Sequence, residues 1–152
     1  MLLGQRTNEP KWLLEAVDAY REALKERTRE LEPLAWGMTQ YNLGSVLLML
    51  GERLNDQARL REAVSAHQEG MTIFTREQSP LVWAKFVVNQ GMALVLLYKE
   101  CGDMNQAEAM LIDMTVAVNM LFIGGDPSMK ACQRQIFRAR EIVDRLRAQK
   151  PC

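Results

Sequence analysis

Apolar residues recur at every third or fourth position along most of the chain, which is the spacing of one face of an α-helix. In the segment LLEAVDAYREALKERTREL this spacing links Leu13, Val17 and Leu24 and predicts a helix from Trp12 to Leu31. The same spacing predicts further helices over residues 33–50, 59–77, 79–102, 105–122 and 126–148. No segment alternates convincingly with a period of two, so we expect an all-α fold of about six helices.

Residues at the ends of these segments support the helices. Pro33 and Pro80 each suit a first helical turn, and Gly51 suits a helix C-terminus. Ser79 and Asp126 are expected N-caps, the second directly after a Gly-Gly helix stop. The segment ERLNDQARL is then expected to be a long connector.

The chain repeats itself with a period of 47 residues. Sliding it by 47 positions gives twenty identities over residues 3–53, among them TRE against TRE, PLAW against PLVW, and NLG against NQG. A fixed period between 20 and 50 residues is typical of solenoids and repeat arrays. We therefore expect one domain over residues 1–152, with a partial unit at 1–32, units at 33–79 and 80–125, and a capping helix at 126–149.

Within each unit the residues resemble a tetratricopeptide repeat. NLGSVL at Asn42 and NQGMAL at Asn89 resemble the core of that family's first helix, and Ala63, His67 and Gly70 match the small, bulky, small spacing of its second. The resemblance implies an antiparallel helix-pair solenoid, a right-handed superhelix in which small residues let helices approach closely. The period of this chain is longer than the family's usual one of about 34 residues.

The resemblance also implies a concave binding surface. It would be lined by Met38, Tyr41, Asn42, Ser45 and Met49 from one unit, and by Lys85, Val88, Asn89, Met92 and Leu96 from the next. The amides of Asn42 and Asn89 are expected to hydrogen-bond a partner's main chain, with Lys85 available for a carboxylate. The alternative is that the two asparagines tie one helix to the next. The ten methionines suit an adaptable binding surface or a core filler.

The start of the repeat predicts an exposed apolar edge. Residues 1–3 align with residues 48–50, the last turn of a helix, so the helix at 12–31 is expected to lack one neighbour. We expect a homodimer through an edge formed by Trp12, Leu13, Val17 and Tyr20. The apolar helix at 80–98 is the competing dimer contact, because Lys85 is its only charged residue. The alternative is that the chain is part of a longer repeat array, in which a preceding helix covers this edge.

Composition narrows the function classes. Nineteen Lys and Arg residues balance nineteen Asp and Glu residues, which gives no whole-chain attraction to nucleic acid or to an anionic membrane. The longest apolar run, MALVLLY, is far shorter than the roughly 20 residues of a membrane span. Cys101, Cys132 and Cys152 are too few and too scattered for a disulfide framework or a zinc cluster, which favours a cytoplasmic protein. The segment from Lys130 onward carries a net charge of +5 without stacking aromatic residues, and we interpret it as the solvated face of the capping helix.

No motif in the sequence predicts catalysis. The single histidine, His67, stands where the repeat requires a bulky residue, so we expect a packed side chain. No zinc-protease, serine-hydrolase, Walker or dinucleotide motif is present. We therefore expect a non-enzymatic scaffold, without cofactor or metal, that binds a peptide or helix of a protein partner in a groove. The alternatives are a regulatory or sensor segment of a larger protein and a helical domain that binds an apolar small ligand.

Overall fold

The computed structural model describes residues 10–149. Within them the chain forms six α-helices and no strand: α1 (Lys11–Glu26), α2 (Pro33–Leu54), α3 (Gln57–Met71), α4 (Pro80–Cys101), α5 (Met104–Ile123) and α6 (Met129–Gln149). The predicted all-α class is therefore confirmed. The predicted end of a helix at residues 1–3 lies outside the described residues.

The chain divides into two compact units, with the boundary between Ile73 and Phe74. In unit 1, α2 packs against both α1 and α3. In unit 2, α4, α5 and α6 pack against one another in all three pairs. Each unit contains fully buried apolar side chains, such as Leu47 in α2 and Phe86 in α4.

The 47-residue period is visible in the bounds of the helices. α2 and α4 both contain 22 residues, and their first residues, Pro33 and Pro80, lie one period apart. α3 and α5 are capped by Asp56 and Asp103, also one period apart, whose side chains accept hydrogen bonds from backbone N–H groups of the first turn. The sequence repeat is therefore also a repeat of local structure.

The turn that precedes each long helix is also built twice. The threonine hydroxyl of each TRE motif accepts a hydrogen bond from the N–H three residues later, at 3.3 Å in both copies. The guanidinium of Arg29 lies over the ring of Trp36, 5.7 Å from its centroid, and that of Arg76 lies 5.1 Å from the centroid of Trp83. Each such cation–π contact contributes about 0.5–1 kcal/mol at an exposed site. The repeated TRE and PLxW motifs therefore belong to one structural unit, the turn before each long helix.

Each long helix approaches the following helix closely at a glycine. A Cβ atom at Gly44 of α2 would lie 2.5 Å from the ring of His67 in α3, and one at Gly91 of α4 would lie 2.5 Å from the side chain of Met114 in α5. A side chain at either position would overlap its neighbour, which explains the glycines. The close helix approach that the repeat predicts at both positions is confirmed, and His67 and Met114 are themselves one period apart.

The predicted end of α2 at Gly51 is wrong. The helix runs through Gly51 to Leu54, and Gly51 is needed for packing, since a Cβ atom there would lie 2.7 Å from the Leu60 side chain. The helix ends at Asn55, which adopts the left-handed conformation with φ 52°. Asn55 and Asp56 alone separate α2 from α3, so the predicted long connector is mostly helical.

Other predicted ends are partly right. α1 and α3 end a turn or more before the predicted residues, because the repeated threonine turn follows each of them. Ser79 occupies the N-cap position of α4, but its side chain forms no capping hydrogen bond. Asp126 was predicted as the N-cap of α6, but that helix begins only at Met129, and the Asp126 carboxylate instead accepts a hydrogen bond from the N–H of Ser128 at 2.8 Å in the turn before it.

Two helices are long and apolar enough to cross a membrane, judged by length and composition alone. These are α4 and α5, with mean hydropathies of 1.5 and 1.3 over an 18-residue window. Half of the α4 window is buried, as expected of a core helix, but only 28% of the α5 window is buried. The absence of a membrane span therefore stays a prediction, and α5 retains exposed apolar surface.

Candidate interaction surfaces

The surface predicted on α2 is open. Met38, Asn42, Ser45 and Met49 follow one side of the helix at spacings of three and four residues, and we call them the α2 line. Met38 and Met49 are 39% and 40% exposed, and the two polar residues between them are half-buried. The line extends over twelve residues, or eleven steps along the helix, which is about 17 Å. It is therefore an accessible strip with thioether side chains at its ends and polar groups in its middle.

The polar groups of this strip differ in their availability. The Ser45 hydroxyl donates a hydrogen bond to the Tyr41 carbonyl at 2.9 Å. The Tyr41 ring is half-buried, with its centroid 5.8 Å from that of His67. Within the part of the chain that the structure describes, the Asn42 amide makes no hydrogen bond. Asn42 is therefore the residue of the line best placed to bond a partner.

The equivalent positions in unit 2 hold two buried and two half-buried residues. One period after the α2 line lie Lys85, Asn89, Met92 and Leu96, which we call the α4 line. Met92 and the adjacent Val88 are fully buried, and Leu96 is 9% exposed. These three apolar side chains belong to the core and do not line an open surface, which corrects their predicted position. In unit 2 the long helix packs against two helices, α5 and α6.

Lys85 already has a carboxylate partner within the chain. Its ammonium lies 3.8 Å from the carboxylate of Asp126, with the two side chains 25% and 11% exposed. Only Pro127 and Ser128 separate Asp126 from α6, so this ion pair ties the turn before α6 to the first residue of the α4 line. In unit 2, α6 of the same chain thus packs against α4, the helix on which a partner was predicted to bind.

The predicted dimer edge on α1 is mostly closed. Leu13 and Val17 are 1% and 5% exposed, and Tyr20 is half-buried. Trp12 is 58% exposed, and the guanidinium of Arg53 from α2 lies 5.8 Å from its ring centroid. The packing of α2 against α1 accounts for this burial and leaves α1 with a mainly polar exposed side. Periodicity identified the apolar face but not how much of it one neighbour covers.

A hollow of about 570 Å³ runs along α6, lined by Lys130, Gln133, Arg134, Phe137 and Arg138. The side chain of Phe137, one of these lining residues, is 61% exposed. No acidic residue occurs between positions 127 and 140, so the hollow is strongly basic. The sequence prediction missed Phe137, although its spacing from Lys130 and Arg134 places all three on one helix face. Such a surface suits an acidic segment that also carries an apolar side chain.

Two side chains with possible acid–base or nucleophilic chemistry, His67 and Cys132, are buried. His67 is fully buried, and burial lowers its pKa from 6.5 to about 4, while the backbone of Tyr41 near the ring offsets part of this shift. The ring is therefore neutral at physiological pH, as expected of a packed histidine. Burial raises the pKa of the Cys132 thiol to about 11, which disfavours the nucleophilic thiolate. Within residues 10–149, no three His, Cys, Asp or Glu side chains lie close enough to hold a metal ion.

Comparisons of the chain with protein-family models, with curated proteins and with solved structures found no match. The tetratricopeptide resemblance therefore depends on the residues of this chain alone. Function must likewise be inferred from its own surfaces.

Proposed function

We propose that this chain is a non-enzymatic protein-interaction module of the tetratricopeptide kind, a right-handed helix-pair solenoid, whose α2 line binds an amphipathic helix of a partner protein. One comparison within the chain supports this assignment. In the α4 line, where α6 packs against α4, Met92 and Leu96 are buried, whereas Met38 and Met49 at the ends of the α2 line, one period earlier, are exposed. The chain thus carries the same line of helix positions twice, and exposed apolar side chains occur on it only in α2.

The packing of α6 indicates what kind of helix the α2 line would accept. The buried residues of α6, Cys132, Ile136, Ala139 and Val143, form one apolar stripe along a helix whose remaining residues are mostly polar. A partner helix with apolar residues at the same spacing is the usual ligand of a helical groove. The flexible thioethers of Met38 and Met49 can adapt to such a helix, and the Asn42 amide can bond a polar group on it.

Selection of amphipathic helical peptides from a display library against the whole chain tests this function. Fluorescence anisotropy then gives the dissociation constant of each selected peptide. Asn42→Ala should raise that constant about 3- to 10-fold, the value of one neutral hydrogen bond. Met38→Glu should weaken binding further, because it places a charge against the apolar stripe of the peptide.

The matched control is Gln68→Ala, which removes an exposed amide from α3 and should leave the affinity unchanged. Selected peptides that bind both α2 variants as well as the unmodified chain would refute the assignment to the α2 line. A selection that yields no helical peptide able to bind the chain would refute the binding function itself.

The hollow along α6 is a second candidate surface, favoured by its basic side chains around Phe137. It would bind an acidic segment, and its affinity would fall with added salt. In the same selection, peptides weakened by Arg134→Ala and unaffected by Asn42→Ala would assign binding to this hollow.

The two remaining alternatives have less support. A regulatory segment of a larger protein would use the same binding surfaces. An apolar small ligand would need space where α4 and α5 meet, but at Gly91 even an added methyl group would overlap Met114.

A further inference from the structure

The helices α1, α3 and α5 occupy equivalent places in the repeat, so their exposed positions can be compared. One set of equivalent positions holds Glu15, Asp18 and Glu22 in α1, Glu62, Ser65 and Glu69 in α3, and Ala109, Ile112 and Val116 in α5. Every one of these side chains is exposed. Two copies of the repeat fold with polar residues at these positions, so the fold does not require apolar ones. The apolar residues of α5 therefore call for an explanation outside the fold of the repeat.

The apolar side of α5 continues to the end of the helix. Ile112, Val116 and Ile123 are 64%, 43% and 83% exposed. With Ala109 they form a row at spacings of three, four and seven residues, which we call the α5 stripe, and the half-buried Met120 fills the gap before Ile123. The stripe is about 21 Å long. A contiguous apolar surface of this kind marks an interaction site.

The geometry points to a second copy of this chain as the occupant, with two α5 helices packed antiparallel about a two-fold axis at Val116. In that arrangement, residues equally far before and after Val116 face each other. Ala109, the smallest residue of the stripe, then faces Ile123, its most exposed residue, and Ile112 faces Met120. Small residues opposite large ones let two helices interdigitate.

The polar neighbours of the stripe obey the same symmetry. Asp113 lies three residues before Val116 and Asn119 lies three residues after it, and both are exposed. In the antiparallel pair the Asp113 carboxylate therefore faces the partner's Asn119, whose amide can donate a hydrogen bond to it. Phosphatidylcholine has no N–H group to offer Asp113, and an aspartate at the centre of a membrane helix costs about 2.5–3.5 kcal/mol. The polar residues therefore favour a second copy over a membrane.

A single pair of helices of this length makes a small interface. The surface area that it buries is at or below about 1,200 Å², the lower limit for stable specific interfaces. We therefore expect a reversible homodimer with a dissociation constant in the micromolar range. The α5 stripe thereby replaces the α1 edge as the surface for self-association.

Cysteine crosslinking tests the register of the pair. Exposed Cys101 and terminal Cys152 are replaced by serine, and buried Cys132 is retained. Val116→Cys in this background should give a disulfide-linked dimer under mild oxidation, because the two residues meet at the axis within the about 4.4–6.8 Å that a disulfide allows between Cα atoms. Ala109→Cys and Ile123→Cys should crosslink efficiently only when the two proteins are mixed. Gln68→Cys, exposed on α3, sets the rate of random collisions, and a Val116→Cys rate no higher than this would overturn the two-fold arrangement.

A second variant separates association from folding. The double substitution Ile112→Ser/Val116→Glu gives α5 the residues that α3 carries at the same positions, Ser65 and Glu69. It should therefore keep the helical circular dichroism of the unmodified chain and sediment as a monomer at concentrations where the unmodified chain is dimeric. Phe137→Glu removes an equally exposed apolar side chain from α6 and should leave the dimer intact.

Two results would overturn the inference that the chain dimerises through the α5 stripe. One is an unmodified chain that stays monomeric at several hundred micromolar. The other is a monomeric chain that floats with phosphatidylcholine vesicles and loses this binding in the double variant, which would assign the stripe to lipid.

Discussion

At the scale of single residues, the buried neutral ring of His67 should make the fold sensitive to acid. Its pKa is lowered to about 4 by burial, whereas in the unfolded chain it is about 6.5. Between these values the unfolded state binds the extra proton, so the His67 contribution is fully present above pH 6.5 and is lost as the pH falls toward 4. The shift corresponds to roughly 3 kcal/mol, measurable by urea denaturation at a series of pH values.

His67→Met supplies the control, because Met114 fills the equivalent place against Gly91 in unit 2. The free energy of unfolding of this variant should decrease less between pH 6.5 and pH 4 than that of the unmodified chain. The difference between the two pH curves isolates the histidine from the carboxylates that titrate in the same range. Parallel curves would contradict the neutral burial of the ring.

At the scale of helices, the pairs α2–α3 and α4–α5 are two versions of one close approach, and they should differ in their tolerance of a methyl group. Gly44→Ala forces a Cβ atom against a rigid imidazole, which should cost about 1–3 kcal/mol, partly offset by about 1 kcal/mol from the better helix propensity of alanine. Gly91→Ala meets Met114, whose flexible side chain can change rotamer. Thermal unfolding should therefore show the larger loss for Gly44→Ala. Equal losses would mean that both contacts are equally rigid.

Sequence alone predicted those features of the helices that depend on local spacing. The 47-residue period and the glycine contacts were both readable from residue order. Gly51 was misread as a helix end because a glycine that admits a neighbouring helix and one that ends a helix look the same in a sequence. The burial of Val88 and Met92 was missed for a related reason, since the final helix lies outside the repeat and its packing against α4 follows no periodic signal. Met38 and Met49 of the α2 line are therefore exposed, whereas Met92 and Leu96 of the α4 line are buried.

At the scale of the whole molecule, protection from hydrogen exchange should follow the burial of each helix. α2 and α4 each contain nine buried residues among 22, while α1 contains two among 16. Amide exchange requires local opening, whose free energy is highest where most apolar surface is packed. Exchange followed by mass spectrometry should therefore be slowest in the middle of α2 and α4 and fastest in α1. Rapid exchange in α4 would contradict its place in the core of unit 2.

The exchange of α5 should depend on protein concentration, unlike that of α2. α5 contains five buried residues among 20, so its amides should be protected to an intermediate degree in an isolated chain. Pairing along the α5 stripe adds a packed neighbour to its exposed side, and protection of α5 should rise as the concentration passes the dissociation constant. In Ile112→Ser/Val116→Glu the protection of α5 should be the same at every concentration. If protection depends on concentration in α1 and not in α5, the interface lies at the edge around Trp12. If it depends on concentration equally in all six helices, association stabilises the chain as a whole and not through the α5 stripe.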